Sequence, residues 1–111
     1  MKFTIEQTEP TVIAIHGDVL GGADAMEFTG AIGELIRKGV HHVVVDLSDV
    51  RLMNSSGLGM LVGASASLRS AKGTLAVAGA NAKIRELFTM TRLDSVLAQY
   101  ETRSEALAAH R

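Results

Sequence analysis

The stretch HVVVDL, His42 to Leu47, sets three β-branched valines side by side. A strand with one wet face alternates apolar and polar residues, so a continuous apolar run needs both faces covered. Strands buried in this way belong to sheets with parallel pairing, and parallel pairing requires crossover helices. The rest of the chain supplies that alternation. Lys2 to Gln7 alternates, with Phe3 and Ile5 on one side, and Thr8-Glu9-Pro10 turns it towards a hairpin partner, Thr11 to His16. Gly17-Asp18 ends that strand, and Leu20-Gly21-Gly22 forms a bend. From Ala23, the residues Phe28, Ile32, Leu35 and Ile36 recur at helical spacing until Gly39 stops the helix.

After the valine strand, a second helix starts at Ser55 or Ser56. Leu58, Leu61, Val62 and Leu68 share one stripe, interrupted by Ser65, while Gly59, Met60, Gly63 and Ser67 lie opposite. Arg69 and Lys72 suit its C-terminal end, and Gly73 closes it. Thr74 to Val77 is the next strand, and Asn81 caps a helix through Ile84, Leu87 and Phe88. A short strand from Ser95 to Gln99 and a last helix from Ser104 to His110 complete the order. The pattern predicts an α/β fold: a mixed sheet of about five strands with about four helices, in a single domain over 1–111.

Composition narrows the function. Apolar residues make up 47% and charged residues 21% of 111 residues, enough for a packed core. The net charge of -1 and scattered basic residues argue against nucleic acid as a partner. The absence of cysteine excludes disulfides and thiolate chemistry and fits a cytoplasmic setting. The first residues carry no apolar signal-like core, and no run is long enough to span a bilayer.

The segment LMNSSGLGML, Leu52 to Leu61, is the feature that chemistry must explain. A serine nucleophile in the Gly-x-Ser-x-Gly pattern needs glycine where Asn54 stands. His16, His41, His42 and His110 have no recognisable catalytic partner, so an enzyme is not expected. Nor is a metal or cofactor: His41-His42 lacks a carboxylate at ligand spacing, and Asp46, Asp49 and Asn54 lack the spacing of a calcium loop. No Lys-Ser/Thr pair follows Gly57-Leu58-Gly59, which rules out a phosphate loop. Ser48 reads as a loop hydroxyl and Asp46 as an acceptor for nearby backbone amides. A serine at a helix start is a good N-cap, and a phosphoserine there gains from the free amides and the dipole. In the second case the fold stays and the surface changes. On these grounds cap and switch both stay open.

The same residues carry a family resemblance. Val43 to Ala64, VVVDLSDVRLMNSSGLGMLVGA, resembles the signature of the STAS domain, and more narrowly of the small bacterial anti-sigma-factor antagonists. Asp46-Leu47-Ser48, Leu52-Met53 and Asn54 to Gly59 fall on its motif, and Gly17, Thr74 to Gly79, Arg85 to Phe88 and Leu93 match its flanks. The resemblance implies the STAS fold and a protein that binds an anti-sigma factor, a serine kinase of the histidine-kinase ATPase fold, so releasing the sigma factor. Phosphorylation would fall on Ser56, with Ser55 as second choice, and a metal-dependent serine phosphatase would reverse it. Asp18, Asn54, Ser55, Ser56, Gly57, Leu58, Met60 and Gly63 are the implied partner contacts, with Gly57 leaving room for approach to the hydroxyl. The implied state is a monomer or weak dimer. Two family carboxylates are replaced, by Asn54 before the serine pair and by Leu20 in the early Gly17-Asp18-Val19-Leu20 segment. The alternative is a ligand-binding or transporter-associated STAS module holding a lipid or nucleotide at the same edge.

Overall fold

The computed structural model describes residues 1–109, so the predicted helix end at His110 lies outside the described residues. Five strands form one sheet in the order β1 (Lys2–Glu6), β2 (Thr11–His16), β3 (His42–Asp49), β4 (Thr74–Ala78), β5 (Ala98–Tyr100). β1 runs antiparallel to β2, and the other neighbours pair in parallel. Helices α1 (Ala23–Arg37), α2 (Ser55–Ser70) and α3 (Ala82–Met90) connect the parallel strands, and α4 (Arg103–Ala109) follows β5. This is the predicted mixed α/β sheet.

Alternation along β3 explains the valine run. Val43, Val45 and Leu47 pack with Phe28 and Ile32 of α1, Leu58 and Leu61 of α2, and Ile84 and Phe88 of α3. Val44 points the other way, into a smaller cluster with Val12, Ala78 and Ala106 of α4. The three crossover helices cover one face, as right-handed connections between successive strands require, and α4 covers the other. Phe3 of the edge strand β1 closes the larger core edge-on against Phe28, with ring centroids 5.7 Å apart.

The next residue on the α4 side of β3 is Asp46, which is 8% exposed. A carboxylate buried there needs partners. The Ser48 hydroxyl and amide donate to Asp46 Oδ1, and Arg103 Nε donates to its Oδ2 at 2.9 Å. Arg103 also reaches both carboxylate oxygens of Glu6 at 3.1 Å, so one guanidinium joins α4, β3 and β1. Burial alone raises the pKa of Asp46, but the Ser48 hydroxyl, the Ser48 amide and Arg103 together hold it below the ordinary carboxylate value. The expected acceptor role of Asp46 is therefore met, and Ser48 belongs to the end of β3 rather than to a free loop.

The position of β5 and the buried face of α2 differ from the sequence reading. β5 spans Ala98–Tyr100, not Ser95 to Gln99. Leu97 is fully buried, yet its amide bonds to Leu93 O in a turn, so its apolar character marks a plug and not a strand. α2 is buried over a broader arc than the Leu58–Leu61–Leu68 stripe. It packs on α1 as well as on the sheet, and Met60 and Ala64 are buried along with that stripe.

Arg103→Gln removes the charge that compensates Asp46, and unfolding in urea should show a loss of about 1–3 kcal/mol. In the unaltered chain the contribution of Asp46 is complete above the unfolded carboxylate pKa of about 3.9. It is lost as pH falls through the lower folded value. Arg103→Gln should therefore lose less stability than the unaltered chain over that acid range.

Candidate functional site

The loops that leave the C-terminal ends of β2, β3 and β4 gather at one edge, where α2 and α3 begin. The loop after β2 is stitched to the loop after β3. Val19 N–H donates to Leu52 O at 2.9 Å, Asn54 N–H donates to Val19 O at 3.2 Å, and Val19 pairs with Met53 as an isolated parallel bridge. Val19 and Met53 are buried, while Leu20 and Leu52 beside them are 48% and 49% exposed.

The cap of α2 is Asn54 rather than a serine. Its Oδ1 accepts the Gly57 N–H at 2.8 Å, which places Ser55 and Ser56 in the first turn, both exposed. Their amides precede the first intrahelical acceptor. No acidic side chain lies in that turn. The serine hydroxyls are thus free of the capping duty that the sequence left open to them, and they stand at the positive end of a 16-residue helix.

The asparagine does a second thing. With Oδ1 committed to Gly57, Nδ2 faces Leu20 O and donates to it at 3.3 Å. Asn81 repeats the pattern one unit later: its Oδ1 accepts the Ile84 N–H at 2.9 Å to cap α3, and its Nδ2 donates to Arg51 O at 3.0 Å. Each cap braces the preceding loop. A cap signal is readable in sequence, but this second bond is not, because it depends on where the neighbouring loop passes.

Several predicted contacts change character. Leu58 is 2% exposed and Met60 is 6% exposed, so both belong to the core and neither offers a surface to a partner. Gly57 is also buried, and a Cβ there would strike the carbonyl of Val19. Its small size serves close packing inside the chain, not access from outside. Gly63 stays exposed with open space around it. Asp18 lines a cleft of about 500 Å³ with Gly17, Ser48, Asp49, Val50, Arg51 and Asn81, and that lining includes neither serine. The residue that does meet Ser56 is Gly21: its φ is +83°, and a Cβ built on it would lie 2.7 Å from Ser56 Cβ. Sequence reading saw Gly21 as a flexible bend. Nothing local tells that the bend rests on the serine.

These contacts give opposite signs along one helix. Gly57→Ala should cost about 1–3 kcal/mol through overpacking against Val19. Gly59→Ala and Gly63→Ala meet nothing and should each add up to about 1 kcal/mol of helix stability. Thermal or urea unfolding of the three variants checks this.

Comparison with known proteins adds the family. A family model described as "Mlab, STAS domain" matches residues 4–99. An anti-sigma factor antagonist of Thermotoga maritima is 34% identical over 74 residues, which cover 67% of this chain and 66%, just under two thirds, of that protein. The anti-sigma factor antagonist BtrV of Bordetella bronchiseptica is 27% identical over 109 residues, covering 98% of this chain and 94% of BtrV. The crystal structure of an anti-sigma factor antagonist from Mycobacterium paratuberculosis superposes with a TM-score of 0.85 at 26% identity, over 99% of this chain and 93% of that one. With the sheet order, the Asn54–Gly59 segment at its C-terminal edge and a family-model match over most of its length, this chain belongs to the STAS domain family.

Proposed function

We propose that the chain acts stoichiometrically as an anti-sigma factor antagonist in a partner-switching system. Its unmodified form binds an anti-sigma factor that is itself a serine kinase of the histidine-kinase ATPase fold, and the sigma factor is released. The kinase then modifies Ser56, the complex separates, and a metal-dependent serine phosphatase restores the binding form. The relatives named as anti-sigma factor antagonists support the class of partner. The observation that carries the reading at this site is the exposed Ser56 in the first turn of α2, freed from capping by Asn54.

The physics of the switch follows from that placement. A phosphoryl group brings roughly -1.5 to -2 charge. It meets the dipole and uncommitted amides of the first turn, so the fold tolerates it. Gly21 lies against Ser56, and Leu20 and Leu52 of the two stitched loops are half exposed. A partner seated on that rim would have to strip water from a dianion, which opposes binding. Modification therefore acts on the interface and leaves the core alone. Asp18, in its own cleft, and Gly63, on the open side of α2, complete the surface offered to the partner.

A second reading, a transporter-associated or ligand-binding module for a lipid or nucleotide, is compatible with the uncharged Leu20, Gly21 and Gly22 at that edge. One experiment separates the two. The chain is incubated with ATP, magnesium and the serine kinase encoded nearest to it, beside Ser55→Ala and Ser56→Ala, and intact masses are recorded. One added phosphate in the unaltered chain and in Ser55→Ala, but not in Ser56→Ala, is the expected result. Absence of both phosphate and binding across the available kinases would favour the module.

A further inference from the structure

Asn54 and Leu20, the two positions where the resemblance implies carboxylates, touch each other. Asn54 Nδ2 donates to the carbonyl of Leu20 at 3.3 Å. The orientation of the amide is fixed by chemistry: the Gly57 N–H needs an acceptor, so Oδ1 faces it and Nδ2 is left for Leu20. A carboxylate at position 54 would cap α2 equally well but would set a second oxygen against the Leu20 carbonyl, with no proton between them.

The segment held this way has little else to hold it. Val19 is anchored by burial and by its backbone bridge. Beyond it, Leu20 is half exposed, Gly21 and Gly22 have φ of +83° and +71°, and α1 starts at Gly22 without a side-chain cap. The same segment lies on Ser56, since Gly21 has no room for a side chain there. Asn81, which ties Arg51 O while capping α3, shows the same device at the next loop.

We propose that Asn54 is a positioning residue that locks Leu20–Gly22 against the serine pair through a hydrogen bond available to an amide and not to a carboxylate, and so presets the surface by which a kinase reaches Ser56. The lock stands on the geometry above; its consequence for the kinase rests on the reading of Ser56 as the modified residue. Without the lock, the loop must be ordered during docking, which weakens capture but not the phosphoryl transfer once bound.

The test uses Asn54→Ser and Asn54→Asp, which keep a capping oxygen and lack the amide donor. Backbone ¹⁵N relaxation is measured on both and on the unaltered chain, with kinase KM and kcat beside it. In the unaltered chain Leu20–Gly22 should show order parameters near ~0.85, and in both variants they should fall below ~0.6 while α2 stays ordered. KM should rise several-fold with kcat unchanged. Equal order at Leu20–Gly22 in all three proteins overturns the lock. A loosened loop with unchanged KM, or a loss confined to kcat, overturns its role in presenting Ser56. Failure of every form to be phosphorylated counts against the Ser56 reading, and the relaxation result still decides the lock.

Discussion

A strand buried on both faces is the constraint from which the rest of the molecule follows. β3 takes Val43, Val45 and Leu47 into the core under α1, α2 and α3, and Val44 into the cluster under α4. Once both faces are occupied, any polar residue on the strand must bring its own partners, and Asp46 does so with Ser48 and Arg103. The same guanidinium reaches Glu6, so the short C-terminal helix is held to the sheet at two strands by one side chain. Parallel pairing of β2, β3 and β4 then puts the loops after them on a single edge, which is how a serine pair, an exposed leucine rim and a polar cleft come to lie near one another.

At that edge the division of labour is between residues that pack and residues that are shown. Val19, Met53, Gly57 and Leu58 are internal, and they fix where the chain passes. Leu20, Leu52, Ser55 and Ser56 are carried outward by them. Capping by Asn54 is the hinge of this arrangement, because it relieves the serines of a structural task. A modification at Ser56 would therefore add charge to a surface without withdrawing a bond that the fold uses. This is the physical basis of the proposed switch, read by a partner and not by unfolding.

Much of the fold was legible in sequence because its signals are local and strong. The valine run, the alternation of β1, the glycine after α1 and the Asn81 cap all depend on neighbours within a few residues, and the structure places them as expected. The site was legible as a segment but not as a surface. Met60 reads as outward because it lies opposite the Leu58–Leu61–Leu68 stripe, and Gly57 and Leu58 are docking residues only through the family resemblance, whereas the structure buries all three. The serines were read as possible caps because the asparagine before them competes for the same role and only the backbone path decides between them. The resting of Gly21 on Ser56 joins residues 35 positions apart, and no local pattern carries it.

The central claim is that the unmodified chain and its Ser56-phosphorylated form differ in their hold on one partner. The most direct measurement is sigma-factor release from a preformed complex with the anti-sigma factor, titrated with each form and followed by fluorescence anisotropy of the labelled sigma factor. The account predicts near-stoichiometric release by the unmodified chain and none at matched concentration by the phosphorylated form. Equal release by the two forms would contradict it.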